Sequence, residues 1–328
     1  MRTFLIVYSL TVLRNKFSHT VTLFFLSTYI EQWPTFFSDI FTLIRPTEQH
    51  AMGFNRHVSL LFFHIVLEIS GEVADQIIKS ARAFLATRHA RDARVRDAVR
   101  ARDAARINEA VLAIVAEGAE RMSELRKNSD MDSQARDDLD HAIEVVDWGV
   151  RTFGSYVGTS FLVFSLHHRS YHVGIGWIDI NLTVTPTTIP LLFTLLADPS
   201  LPIRLATSVA LLRIVSKGLK EPNDKLQLLK VLSLGQVLEA LESKTRAQQE
   251  ERGQDTDEGE ETYREALGNL LNVLGQELTK LMDVGAHTIS NCRVPLNVIP
   301  FSRILQMKKF ELKHPHTSPK SNLLSYTF

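Results

Sequence analysis

The stretch HTVTLFFLSTYIEQWPTFFSDI, residues 19–40, decides between two readings of this chain. Its apolar density suits either a lipid bilayer or a pair of helices packed on protein. A membrane-crossing helix needs about 20 predominantly apolar residues in succession. Here Thr22, Ser27 and Thr28 interrupt the run, and Glu31, Gln32 and Pro34 end it. The segment therefore reads as protein core. Phe17, Val21, Phe24, Phe25 and Leu26 form one apolar helical stripe. Phe36, Phe37, Ile40, Phe41, Leu43 and Ile44 form a second after Pro34, which stands as a first-turn proline. Two amphipathic helices joined by about four residues predict an antiparallel hairpin.

The same pattern reaches back to the start and recurs beyond. MRTFLIVYSLTVLRNKF imitates a secretory signal, with Arg2 before an apolar run to Leu13, but it lacks a small-residue cleavage site and its helical spacing continues into Phe17 and Val21. Further helical text begins near Asn55 (NRHVSLLFFHIVLEISG, ended by Gly71), near Asp137 (RDDLDHAIEVVDWGVRTFGSYV), near Leu201 (LPIRLATSVALLRIVSKG, ended by Gly218) and near Glu260 (EETYREALGNLLNVLGQEL). Alternating strand patterns and Asn-Gly hairpin turns are nearly absent. From Val12 to Asn55 is 43 residues and from Asn55 to Asp137 is 82, close to one and two units of a HEAT-type repeat. The chain is thus expected to be all-α, a HEAT-like helical-repeat solenoid.

One step breaks the period. Asp137 to Leu201 is 64 residues, and between them lies GTSFLVFSLHHRSYHVGI, residues 158–175, rich in aromatics and histidine and without acidic residues. Setting those 18 residues aside leaves a step of 46 and joins FGSYV to GWIDINL. The block reads as foreign to the fold, of the kind that translation of an unspliced intron would leave. RAQQEERGQDTDEGEE, residues 246–261, is polar and acidic and reads as a solvated loop. From about residue 285 helical continuity is lost and prolines scatter.

Bulk composition narrows the function classes. The chain has 328 residues, 45% of them hydrophobic, enough for an extended core, and 37 basic against 37 acidic residues, so any affinity for nucleic acid rests on a local patch. The single cysteine, Cys292, rules out an internal disulfide and favours a reducing compartment.

Such a patch exists. ARAFLATRHARDARVRDAVRARDAARINEA carries arginine at 82, 88, 91, 94, 96, 100, 102 and 106 against aspartate at 92, 97 and 103. Arginine's planar fork suits phosphate oxygens, and a reader of RNA shape needs backbone contacts more than base-edge contacts. Arg88, Arg91, Arg94, Arg96, Arg100, Arg102 and Arg106 are the RNA-binding candidates. The alternative is a solvated helix face laced by pairs such as Asp92 with Arg96. Arg14 and Lys16, read as opening a helix on its polar side, are further surface candidates, or simply solubilising charges.

Enzymatic patterns are poorly supported. His167, His168 and His172 have metal-compatible spacing but no neighbouring carboxylate or cysteine, Cys292 has no histidine pattern near it, and GVRTFGSYVG lacks a strand-turn-helix context for a phosphate loop. Trp33, Trp148 and Trp177 read as packing residues. No catalytic residue, metal or cofactor is expected.

Several stretches together resemble the tRNA exportins, members of the importin-β-like nuclear transport receptors. These are LRNKFSHTVTLFFLSTYIEQWPTFFSDIFTLI, then AIEVVDWGVRTFGSYV with GWIDINL, then IRLATSVALLRIVSKGLKEPNDKLQLLKVL, and YREALGNLLNVLGQEL. They occur in family order over residues 13–284, interrupted only by 158–175; residues 1–12 and 285–328 do not match. The resemblance implies a superhelix of helix pairs that binds mature tRNA together with Ran-GTP, engages nuclear pore proteins and shuttles between nucleus and cytoplasm. It implies no DNA binding and no stable membrane insertion. Arg14 and Lys16 become candidates for a Ran or tRNA surface. Family members are much longer, so the resemblance is to an N-terminal portion, with the earliest repeats expected before Leu13. Another importin-β-like receptor, a general HEAT scaffold and a membrane protein are the competing readings.

Overall fold

The computed structural model of the chain describes residues 2–45, 54–74, 86–127, 132–157, 178, 182, 185–216 and most of 262–276. Every described residue belongs to one compact unit, Met1–Glu277. The sequence readings of the 158–175 block, the 246–261 loop, Trp177, Cys292 and the 285–328 tail concern residues outside the described set.

The described elements are α-helices, with no strand among the described residues: α1 (Arg2–Thr28), α2 (Phe36–Ile44), α3 (Arg56–Ala74), α4 (Ala86–Arg102), α5 (Ala104–Arg126), α6 (Ser133–Val157), α7 (Thr188–Leu196) and α8 (Leu201–Ser216). The long helix α6 is the hub, packing against α3, α5 and α8, while α1 lies along α3 and α7 against α8. This layered helix-on-helix packing is the HEAT-like all-α architecture that the repeat spacing predicts.

Close approach at the hub depends on glycine. A Cβ at Gly149 of α6 would come within 2.4 Å of Val115 Cγ2 on α5 and 3.1 Å of the Phe63 ring on α3. A Cβ at Gly118 of α5 would meet Val146 Cγ2 at 2.7 Å. The hydrogen side chains let these helices approach closely.

The decisive stretch is buried protein core, but not on the face its apolar residues mark. Ser18, Thr22, Phe25, Leu26 and Tyr29 are buried, whereas Leu13, Phe17 and Phe24 are 65%, 53% and 56% exposed. Phe24 and Phe25 are neighbours, and at 3.6 residues per turn they point about 100° apart. Only one could join the inward row 18–22–25–29, whose small hydroxyl side chains take up little room between helices. Ser18 satisfies its own hydroxyl by donating to Asn15 O at 2.9 Å. The second stripe behaves the same way, with Phe36, Phe37 and Ile44 buried and Leu43 64% exposed.

Other boundaries differ from the sequence reading. Residues 29–35 link α1 to α2, with Thr35 the N-cap and Pro34 just before it instead of inside the first turn. α1 packs along α3, and meets α2 through rings at its end: Phe25 with Phe36 (4.6 Å between centroids) and Tyr29 with Phe37 (6.0 Å). Each fully buried ring contributes about 1.5–3 kcal/mol. α3 runs through Gly71 to Ala74, and α7 is a helix the sequence reading omitted. No helix among the described residues is long and apolar enough to cross a membrane.

Candidate nucleic-acid interface

The arginine-rich segment forms two helices, α4 and α5, parted by the single residue Asp103. Nothing in RARDAARI signals a break by proline or glycine. The break coincides with a tertiary anchor: Tyr29, one residue past α1, donates its phenolic hydrogen to Asp103 Oδ2. Burial, with the Asp103 bond adding to it, pushes the Tyr29 phenol well above its ordinary range, so it stays a donor. The Arg102 guanidinium lies over the Tyr29 ring at 4.4 Å. Arg106, one turn into α5, covers the Phe41 ring at 5.0 Å and donates to Ser38 Oγ at 2.9 Å.

The candidate arginines therefore fall into two groups. Arg102 and Arg106 fasten the α4–α5 junction to the end of α1 and to α2, with solvent on their outer sides. Arg94 and Arg100 are exposed, and Arg91 and Arg96 half-buried, along α4. Arg88 belongs to the α4 backbone, its side chain outside the described set, and Arg82 lies outside the described residues. The anticipated Asp92–Arg96 pair does not form: Arg91 holds Asp92 at 2.9 Å and Arg96 holds Asp97 at 3.1 Å.

The aspartates are not placed like the arginines. Asp92 and Asp103 are 3% and 6% exposed, turned into the structure, and of the three only Asp97 faces solvent. The solvent side of α4 thus shows Arg94 and Arg100 beside Asp97, while Arg91 and Arg96 are each paired with an aspartate. Such a face offers forked N–H donors to phosphate oxygens.

Lys16 is exposed on α1. Arg14 is not a free surface charge and does not open the helix, which starts at Arg2. Its Nη1 donates to Glu144 of α6 at 3.2 Å, and its guanidinium sits 6.0 Å from the Trp148 ring centre. Arg56 of α3 donates to the other oxygen of Glu144 at 2.6 Å. Burial alone would push the Glu144 carboxyl up, but these two arginines outweigh it and hold it below the usual carboxylate range. This junction, like the Tyr29–Asp103 anchor, was invisible in the sequence because its members stand 74 to 130 residues apart.

Other polar bridges fix the frame. Tyr156 donates to Asn108 Oδ1 at 2.9 Å, and Asn108 Nδ2 donates to Leu182 O at 2.8 Å, tying α6 and α5 to Leu182. Arg126 grips Asp198 with two bonds of 2.6 and 3.0 Å, fastening the end of α5 to the turn before α8. Among the described residues no group of three or more His, Cys, Asp or Glu side chains is arranged to hold a metal.

Residues 11–211 match the family model described as Exportin 1-like protein. The chain is 72% identical over 272 residues to Exportin-T of Laccaria bicolor and 70% identical over 272 residues to Exportin-T of Coprinopsis cinerea, in each case over 83% of its own length. Exportin-T of Mycosarcoma maydis is 32% identical over 293 residues. The chain spans about a quarter of the length of these curated relatives: 23%, 24% and 25% of them. The resemblance drawn from the helical stretches is borne out, and the chain belongs to the Exportin 1-like family.

Proposed function

We propose that this chain is part of a tRNA export receptor, which binds mature tRNA together with Ran-GTP, engages nuclear pore proteins and shuttles between nucleus and cytoplasm, acting by binding and without catalysis. The observation that carries the reading is the face of α4, where Arg94 and Arg100 are exposed beside half-buried Arg91 and Arg96 while Asp92 and Asp103 are drawn inward. The relatives that bear the name Exportin-T support it. In this reading Arg88, Arg91, Arg94, Arg96 and Arg100 run along the sugar-phosphate backbone, with Arg102 and Arg106 contributing their outer edges. Lys16 belongs to the Ran or tRNA surface, and Arg14 supports that surface from beneath through Glu144 and Trp148.

The mechanism is linkage. If Ran-GTP and tRNA favour the same arrangement of helix pairs, each raises the affinity for the other by the same factor. A backbone reader of this kind selects RNA by shape, because exposed guanidiniums spaced along a rigid helix match phosphates held at fixed separations. The test is a gel-shift of mature tRNA against an unstructured RNA of equal length. Preference for the tRNA is expected; equal binding of both, or of neither, points instead to a protein-binding HEAT scaffold.

A further inference from the structure

Away from α4, three buried side-chain nitrogens without a hydrogen-bond partner gather at the junction of α1, α3 and α6: Nε of Arg14, Nε of Arg56 and Nε2 of His64. Buried polar groups are ordinarily paired, so such a concentration of unused nitrogens calls for an explanation. Two guanidiniums, Arg14 and Arg56, share the one carboxylate of Glu144, at 3.2 and 2.6 Å. His64 is 7% exposed and lies against Trp148 with 4.2 Å between ring centres and the rings tilted by 48°. Arg151 approaches the same ring at 5.6 Å, its own charge met by Asp147 at 2.8 Å. With His64 neutral, the junction carries one positive charge more than its carboxylate balances.

The cluster is open to solvent on its outer side. The side chains of Arg14, Arg56 and Glu144 are 18%, 29% and 32% exposed. Each arginine presents a planar fork of N–H donors, more than one carboxylate can use. A phosphate group brings three oxygens and up to two negative charges, which fits two converging forks and a surplus positive charge better than a carboxylate does.

We propose that the Arg14–Arg56–His64 junction is an oxyanion site for a phosphate group, with Glu144 as its resident competitor. The arriving phosphate takes the guanidinium edges that Glu144 now occupies, and Glu144 turns to solvent. The site is independent of the tRNA reading of α4. His64 reports on occupancy, because Arg14 acts on the imidazole through its charge and an anion beside Arg14 changes that field.

The experiment follows the His64 imidazole resonances by nuclear magnetic resonance, assigned with H64Q, while inorganic pyrophosphate is titrated into the wild-type chain, R56Q and E144Q. A saturable His64 shift is expected, about tenfold weaker in R56Q, as loss of a charge-assisted bond predicts. Binding several-fold tighter in E144Q is expected from loss of the competitor. A parallel titration with a short single-stranded RNA identifies the source: a His64 shift that persists when the α4 arginines are replaced assigns the phosphate to an RNA backbone, and a response to pyrophosphate alone assigns it to a free phosphate ligand. Absence of a saturable shift in the wild type, or an affinity unchanged by R56Q, overturns the site. Affinity in E144Q no tighter than wild type overturns the role given to Glu144. Should circular dichroism show E144Q unfolded, the comparison of wild type with R56Q decides.

Discussion

Tyr29, just past the end of α1, donates its phenolic hydrogen to Asp103, the one residue between α4 and α5, across 74 residues of chain. The bond satisfies a carboxylate that is 6% exposed and fixes where the arginine-rich segment bends. Tyr29→Phe keeps the ring and its packing on Phe25 and Phe37 but leaves Asp103 without that donor. A stability loss of about 1–3 kcal/mol is expected, the cost of an unsatisfied buried acceptor. Urea denaturation checks it, with unchanged helical circular dichroism under native conditions.

Gly149→Ala tests the packing of the hub. The added methyl would fall 2.4 Å from Val115 Cγ2 and 3.1 Å from the Phe63 ring, so α5 and α3 must both yield. Overpacking of this kind costs about 1–3 kcal/mol. Gly71→Ala is the control, since a Cβ there meets nothing within 4 Å and alanine is the better helix former. The midpoint of thermal unfolding is expected to fall for the first and to hold or rise for the second.

How much of this was legible beforehand follows from what each helix needs. α1, α3, α6 and α8 announce themselves as long apolar-rich runs without strand alternation, and their spacing predicts stacked helix pairs. The buried face of α1 did not follow from hydrophobicity, because Ser18 and Thr22 are core residues and Phe17 and Phe24 are not. α7 was omitted because it is a nine-residue helix with a proline, Pro190, in its first turn. At the site, the sequence identified the arginines but not their division. Whether a guanidinium faces solvent or stacks on Tyr29 or Phe41 depends on partners 65 to 73 positions away. Likewise the inward turn of Asp92 and Asp103 is a tertiary event, and it changes which carboxylates meet solvent without altering the composition.

Acid sensitivity has a named source in His64. Burial, then the charge of Arg14, pulls its imidazole down to about 4 from 6.5, with Glu144 offsetting part of this. The unfolded chain therefore takes up this proton first. Between pH 6.5 and about 4 the unfolded state binds more protons, so stability falls as pH drops through that window. Glu144, held below the usual carboxylate range, withdraws its own contribution further down the acid limb. Denaturant midpoints measured at intervals from pH 7.5 to 4.5 are expected to decline less steeply in H64L than in the wild type; identical slopes would contradict the assignment.

The block 158–175 is proposed to be foreign to the fold, on the ground that its removal restores the repeat spacing. Sequencing of spliced transcripts is expected to yield messages in which the codon for Val157 is followed directly by that for Gly176. A message that retains it in most copies would refute the proposal.

The central claim is that the exposed Arg94 and Arg100 of α4, with half-buried Arg96 between them, hold an RNA backbone. The salt dependence of mature tRNA binding, compared between the wild type and the triple variant R94Q/R96Q/R100Q, tests it most directly. Each arginine that neutralises a phosphate contributes about 0.7–0.9 to the slope of log K against log salt. The variant is expected to bind more weakly and to lose roughly 2 to 3 units of slope, with its helical content intact. An unchanged slope and affinity would show that the face of α4 does not touch the RNA.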